Sequence, residues 1–500
     1  MSIPFRPIIT ICGTTGVGKS KLAIELALHH MNQTSRNNRW KRAKIINADS
    51  MQVYKGLDVI TNKVPEAERQ GVPHLLMDFK KPGEQYVVGE WVKDTLRLID
   101  EMHANDELPI IVGGTAYWIQ HLIFPNRLIS KDSSTPSESA TVQVPPEWSA
   151  SLLSSIASLP PELLSLLENL PAEAPSAKTD PDGAFRLHTL LSILDPVMSQ
   201  RWHWKDTRKV LRNLEIIKES KTRPSEILHQ QSSEASNAKP RFHTLCFWLY
   251  SDPEVLGERL DRRVDDMISQ GLVDEVKSLR QIAADTSYSD DSTTSNMDFT
   301  LGIYQSIGYR EFCAYLDAPS DASYKEALYR MKVSTRQYAR RQIMWIRNKL
   351  IPATIVANAE ETLVPFYLLD ATELGDSWFK NVLSPAIEIE EAFLGRKEML
   401  DPMTLSEHAA KMLAVEAKDI KPTAALQARK RRICHVCTMQ EDRPVMLEEG
   451  SEWDIHQKTR SHRRLAAKLV QKDYSQYQKQ DRRRKVSTSD GEGEEAHLVT

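Results

Sequence analysis

The apolar positions fall into two patterns along the chain. Short continuous runs of strand length alternate with longer stretches of helical period. Pro7-Ile8-Ile9-Thr10-Ile11-Cys12 is the first run, and a Gly-rich turn over 13–18 leads into a helix that opens at Lys19 and continues through LAIELAL. Lys44-Ile45-Ile46-Asn47-Ala48 ends at Asp49, and Leu75-Leu76-Met77 ends at Asp78. A helix spans about 88–104, and Pro109-Ile110-Ile111-Val112 runs into Gly113-Gly114-Thr115. Strands alternating with helices predict a parallel sheet with helices on both faces. Residues 148–230 have only helical period, yet Thr244–Tyr250 again reads as a buried strand, so the helical block is an insertion in an α/β core.

The predicted division follows from this pattern. Residues 1–125 form the first part of the sheet core, 126–240 a linker and helical insertion, and 241–350 the second part of the core, with a long basic helix over about 323–349. Residues 351–420 carry mixed signals and read as a connector without assigned elements. Residues 421–485 form a basic module and 486–500 a polar tail. Segments 32–44, 126–147 and 283–298 read as loops, the last of them low in complexity and disordered, as is the tail.

Composition narrows the class of protein. Among 500 residues, 65 Lys and Arg face 68 Asp and Glu, for a net charge of −3. That balance excludes a uniformly basic nucleic-acid coat but not local basic patches. Hydrophobic residues at 41% are enough for several globular cores. No run approaches the roughly 20 apolar residues of a membrane helix. The N-terminus lacks the zones of a secretion signal and the Arg/Ser-rich amphipathic pattern of a transit peptide. The five cysteines are too few for a disulfide framework. Cys12, Cys246 and Cys313 lie in apolar settings, while Cys434 and Cys437 form a C-x2-C pair, so a reducing compartment is expected.

The chemistry begins at Gly13-Thr14-Thr15-Gly16-Val17-Gly18-Lys19-Ser20, which fits G-x-x-x-x-G-K-[ST] between a strand and a helix. Such a loop turns backbone N–H groups onto a polyphosphate, and the helix N-terminus adds positive potential. Lys19 supplies a charge and Ser20 a hydroxyl for Mg²⁺. The IIV strand ends in Gly-Gly-Thr without an acid, so a motor-type nucleotide hydrolase is not supported, although Asp78 could imitate the missing acid. Asp49 ends the second strand, where ligands of open α/β sheets bind. It reads either as a metal ligand or general base, or as a strand-end cap. Thr115 reads either as a hydroxyl at the same mouth or as a turn residue.

Two further features suggest RNA. Residues 330–349 hold seven Lys or Arg and no acid, with Arg336, Arg340 and Arg347 on one face. With the second basic stretch, Arg201, Lys205, Arg208, Lys209 and Arg212, this favours contact with a phosphate backbone over a merely solvated face. Trp202 and Trp204 read as packing residues. In the C-terminal block, Cys434, Cys437, His456 and His462 have the spacing C-x2-C-x18-H-x5-H, a closed tetrahedral Zn²⁺ site of structural type resembling U1/matrin fingers. Trp453 and Ile455 are its expected core, and residues 421–485 carry 17 basic and 8 acidic residues. Arg482-Arg483-Arg484-Lys485 fits a nuclear address or a phosphate-binding tail equally.

Taken together, GTTGVGKS, NADSMQVYKGLDVITNK, IIVGGTAYW, DTRKVLRNLEI, RLDRRVDDM, SIGYREF and TRQYARRQIMWIR resemble the tRNA dimethylallyltransferases, or tRNA isopentenyltransferases, in motif order over residues 8–349. The finger resembles that of the eukaryotic branch. The resemblance implies a P-loop NTPase-like α/β fold and transfer of a dimethylallyl group from its diphosphate to N6 of the adenine 3′ of the anticodon, position 37. It implies that Gly13, Thr14, Thr15, Gly16, Val17, Gly18, Lys19 and Ser20, with Arg263, hold the diphosphate and Mg²⁺. It implies Asp49 as general base and Thr115 and Arg263 as catalytic partners. Asp49, Ser50, Met51, Gln52 and Thr115 would then meet the target base, and Asp206, Thr207, Arg208, Lys209 and Val210 the tRNA. No organic cofactor is implied. The partners would be a tRNA anticodon stem-loop and dimethylallyl diphosphate, with no membrane. The protein would act as a monomer in the cytoplasm, with mitochondrion and nucleus as further addresses. The link over 29–43 and the segments 126–147 and 283–298 are longer than the family's. A small-molecule P-loop kinase and a non-catalytic RNA-binding protein are the competing readings.

Overall fold

A computed structural model describes residues 5–32, 39–125, 148–235, 239–287, 302–416, 430–469 and 471. Linker 126–147, most of the low-complexity segment, the tail and the Arg482–Lys485 run lie outside the described residues. Six strands form one parallel sheet: β1 (Pro7–Gly13), β2 (Arg42–Asn47), β3 (His74–Leu75), β4 (Glu107–Val112), β5 (His243–Tyr250) and β6 (Phe366–Asp370), in the order β3-β2-β4-β1-β5-β6. The centre is tightly registered, with Ile9 opposite Ile110 on one side and Leu245 on the other.

Both sheet faces are buried over the central strands, which is why β1, β4 and β5 read as nearly continuous apolar runs. Side chains alternate across a strand, so Ile8 and Cys12 join one core with Trp91 and Trp248, while Ile9 and Ile11 join the other with Leu22, Leu26 and Phe247. Helix Lys19–Asn32 supplies the second core with Leu22, Ala23, Leu26 and Ala27, and helix Val88–Ala104 supplies the first with Trp91, Ile99 and Met102. Among the described residues, no helix is long and apolar enough to cross a membrane.

Residues 351–416 are part of this core. Strand β6 extends the sheet, pairing Phe247 with Tyr367, and helix Ser384–Leu394 packs Ala386 and Ile389 into the second core. Two short runs with five-residue hydrogen-bonded turns, Ile346–Leu350 and Phe379–Leu383, interrupt the helical period here.

The chain divides into two compact units, residues 1–128 with 237–420, and 129–236 with 421–500. In the second unit, helices Pro181–Leu194 and Thr207–Ser220 build a core from Leu187, Leu190, Leu191, Leu214 and Ile217. Asp195, fully buried, accepts from Met198 N at 3.0 Å and from Ser225 N at 2.8 Å, satisfying donors at two helix starts at once. The finger belongs to this unit. Its strands β7 (Arg431–Ile433) and β8 (Met446–Glu448) pair antiparallel, followed by helix Ser451–Lys458. It docks on the insertion by chemistry that the sequence pattern did not reveal. Trp204 Nε1 donates to Pro444 O at 3.0 Å, Arg431 N donates to Gln200 O at 2.8 Å, and Met446 packs with Trp204 and Ala184.

Candidate functional site

The sheet order decides what meets at its carboxyl edge. β2, β4 and β1 lie side by side, so the residues after them, Asp49, Gly113–Gly114 and the loop from Gly13, face one crevice. A cavity of about 580 Å³ opens there. Its wall includes Thr15, Gly16, Gly18, Lys19 and Ser20 of the phosphate loop, Asp49, Ser50, Met51 and Gln52 after β2, and Arg263 from helix Pro253–Ser269. Gly13, Thr14 and Val17 are buried beneath the loop and build it without lining the cavity. Thr115 stands just behind the wall. Its hydroxyl accepts from Ser50 N at 3.2 Å and meets Ser50 Oγ at 3.4 Å.

The phosphate loop is held from three sides. Arg259, one turn before Arg263, donates to Gly16 O at 3.2 Å and to Thr372 O at 2.6 Å beyond β6. Gln342 Oε1 accepts from Thr15 N at 3.0 Å. Trp378 lies against Gly18, whose φ of +86° is a backbone state that glycine adopts readily, and a Cβ there would stand 2.8 Å from the indole ring. Lys19 Nζ donates to Thr14 O at 2.6 Å, which holds the ammonium over the loop.

Asp49 is oriented by its neighbours. Asn47, itself nearly fully buried, accepts from Asp49 N at 3.0 Å and donates to Asp49 O and Leu76 O, both at 3.0 Å. Asp49 Oδ1 accepts from Met51 N at 3.0 Å, and the other oxygen faces Gly114, where a Cβ would come within 3.3 Å. Gln52 donates to Thr61 O and Asn62 O, both at 3.2 Å, and so fixes a second loop at the cavity. Glu275 holds the start of that loop by accepting from Val59 N at 3.0 Å and Ile60 N at 2.8 Å.

The electrostatics favour an anion. Lys19, Lys21, Arg263 and Arg341 line the cavity with Asp49 as the carboxylate among the lining residues. Burial lowers the Lys19 pKa to about 8, with Asp49 pulling it back up and Arg263 pushing it further down. Burial lowers the Arg263 pKa to about 10, again against the charge of Asp49. These shifts show that Lys19, Arg263 and Asp49 act on one another through one poorly solvated space. Tyr338 from helix Asp321–Trp345 joins them. Its phenol is held protonated by burial and by the Asp49 charge, and it lies beside Thr115 and Gln342.

Several expectations are corrected. Asp78 pairs with Lys63 and lies outside the cavity wall, so it does not imitate a metal-holding acid. Arg336 and Lys332 pair with Asp261 and Asp265 of the neighbouring helix and thus tie two helices together, so the basic stripe is partly internal. Val210 is fully buried in the insertion core and Thr207 is 8% exposed, so both side chains pack within the insertion. Asp206 precedes that helix and accepts from His203 N at 3.2 Å, while Lys209 stands 4.7 Å over the Trp202 ring. Ile455 is 67% exposed and so forms no finger core. Tyr338, Gln342 and Trp378 were missed. The first two share one helix face four residues apart, a signal masked by the Arg and Lys counted around them.

In the second unit Cys434, Cys437, His456 and His462 bring their ligand atoms within 4.8 Å of one another. Cys434 Sγ stands 3.3 Å from His456 Nε2 and 3.4 Å from His462 Nδ1, and the two imidazole nitrogens are 3.2 Å apart. Those are close to the edges of a tetrahedron with roughly 2.0–2.3 Å metal bonds, so the cluster is compatible with zinc.

Known proteins resemble the chain over most of its length. A family described as IPP transferase matches residues 52–349. A tRNA dimethylallyltransferase of Schizosaccharomyces pombe is 34% identical over 464 residues, 92% of this chain and 94% of that protein. One of Homo sapiens is 31% identical over 472 residues, 91% of this chain and 85% of that protein. A crystal structure of a eukaryotic dimethylallyltransferase acting on tRNA superposes with a TM-score of 0.68 at 31% identity, covering 95% of this chain and all of the other.

Proposed function

The chain belongs to the IPP transferase family, and from that premise we propose that it transfers a dimethylallyl group from dimethylallyl diphosphate to N6 of adenine 37 of tRNA. The observation that carries this reading is the single cavity that sets Asp49 opposite the Lys19 loop and Arg263.

The adenine amine is a weak nucleophile, because its lone pair is delocalised into the ring. As the N6–C1 bond forms and the C1–O bond breaks, Asp49 accepts the proton that N6 loses. The diphosphate leaves with its charge met by Lys19, Arg263 and the N–H groups at the start of helix Lys19–Asn32, all placed before reaction. Thr115, backed by Tyr338, holds Ser50 at the mouth where the base enters. The target base must leave its stack to reach this depth. Ser20 offers a hard oxygen ligand suited to Mg²⁺, which would offset the negative charge of the leaving diphosphate. Cys434, Cys437, His456 and His462 would hold Zn²⁺ as the structural centre of the finger.

Labelled dimethylallyl diphosphate, Mg²⁺ and an anticodon stem-loop with adenine at position 37 test the reading. Label should enter RNA with the adenine and not when it is replaced by guanine. ATP-dependent phosphorylation of a small molecule without RNA, and no label in RNA, would replace this reading with the kinase.

A further inference from the structure

One side chain joins the two halves of the cavity. Gln342 is only 5% exposed, and both ends of its amide are used. Oε1 accepts from Thr15 N of the phosphate loop at 3.0 Å. Nε2 donates to Gly114 O, at the end of β4, at 2.9 Å. Gly114 adjoins Asp49 Oδ2 on one side and is followed by Thr115 on the other. The Tyr338 phenol, one turn earlier on the same helix, lies beside both Gln342 and Thr115.

We propose that Gln342 is a positioning residue that locks the diphosphate loop in register with the strand end facing the general base. The inference rests on the transferase reading above, and it adds a requirement to it. An in-line displacement needs the leaving oxygen and the incoming nitrogen on one axis through C1. The loop and the strand end follow different strands, β1 and β4, and among the described residues the last backbone hydrogen bond between them is Gly113 N to Ile11 O at 3.2 Å. Beyond that bond, a buried amide accepting from one and donating to the other carries the link onward. An aliphatic side chain of similar size would leave Thr15 N–H and Gly114 O without these partners, and the two segments could slide past each other. A shift of about 1 Å in such a geometry costs roughly 100-fold in rate.

The test uses full-length protein with Gln342→Met and Gln342→Glu. Three quantities are read: affinity for inorganic diphosphate with Mg²⁺, tRNA affinity, and the single-turnover transfer rate at saturating substrates. Gln342→Met should slow transfer by roughly 10- to 100-fold with tRNA affinity within about twofold of wild type. Gln342→Glu retains an acceptor for Thr15 N–H. It loses the donor to Gly114 O while ionised and regains it when protonated. Its rate relative to wild type should therefore rise as pH falls, whereas the Gln342→Met ratio stays flat. A wild-type rate in Gln342→Met, or a Gln342→Glu ratio unchanged with pH, would overturn the proposal. If Gln342→Met does not fold, the pH profile of Gln342→Glu decides alone. If wild type itself transfers nothing to RNA, the transferase reading fails. Diphosphate affinity then tests the lock: it should be weaker in both variants at neutral pH, and unchanged affinity would overturn it.

Discussion

Trp378 gives the sharpest test of how the phosphate loop is held, because it lies in a segment whose sequence pattern assigned no element. The indole is 3% exposed. It packs on Gly18, its Nε1 donates to Glu25 Oε2 at 2.7 Å, and Lys21 Nζ lies 4.5 Å from the ring centroid. Trp378→Ala removes all three contacts. Emptying a buried aromatic site costs about 3–5 kcal/mol. For a unit of this size, each kcal/mol lowers Tm by roughly 2–4 °C, so a fall on the order of 10 °C is expected. Trp378→Phe keeps most of the wall against Gly18 but leaves Glu25 without its indole donor, a loss of about 1–2 kcal/mol because Glu25 can still turn to water. Thermal unfolding and binding of inorganic diphosphate are measured on both variants. Trp378→Ala should lose stability and bind diphosphate at least several-fold more weakly, whereas Trp378→Phe should lose some stability and keep most of its affinity. Equal Tm and equal affinity in Trp378→Ala would refute the view that this residue supports the loop.

Asp49→Asn should slow transfer by roughly 10²–10⁴-fold without weakening diphosphate, since it removes a negative charge beside Lys19 and Arg263; a titration showing weaker diphosphate binding would contradict this. Zinc chelation, or Cys434→Ser, should weaken tRNA binding and shift Trp204 fluorescence, because Trp204 donates to Pro444 of the finger, while transfer continues at saturating RNA; an unchanged emission spectrum on metal loss would separate the finger from the insertion. His30 and Glu390 form a buried pair at 2.9 Å. Burial opposes the imidazolium, but the hydrogen bond to Glu390 and its charge outweigh burial and raise the His30 pKa. Its contribution is therefore complete below the unfolded value near 6.5 and is lost as pH rises through the higher folded value. Tm should fall across that window in wild type, and the same slope in His30→Gln would exclude the pair as its source.

Much of the site was legible because its chemistry is local. A loop that must wrap a phosphate group needs glycines, a lysine and a hydroxyl at fixed spacing in one stretch of chain, and Gly13–Ser20 shows them in order. Asp49 was legible because it closes an apolar strand, and the finger because thiolates and imidazoles are rare enough for their spacing to carry meaning. Strands β1, β4 and β5 were legible because both sheet faces are buried there, which leaves each a nearly continuous apolar run, and β2 was legible through Ile45-Ile46.

Strand β6 escaped that logic: it is five residues long, between two helical segments with broken period. Gln342, Trp378 and Arg259 escaped it for a deeper reason. Their partners lie 327, 353 and 243 residues away in the chain, at Thr15, Glu25 and Gly16. A motif states which groups can hold a phosphate or accept a proton. Whether those groups share one cavity depends on sheet order and on side chains satisfying backbone atoms of remote segments, and contacts between remote segments leave no period in the order of residues.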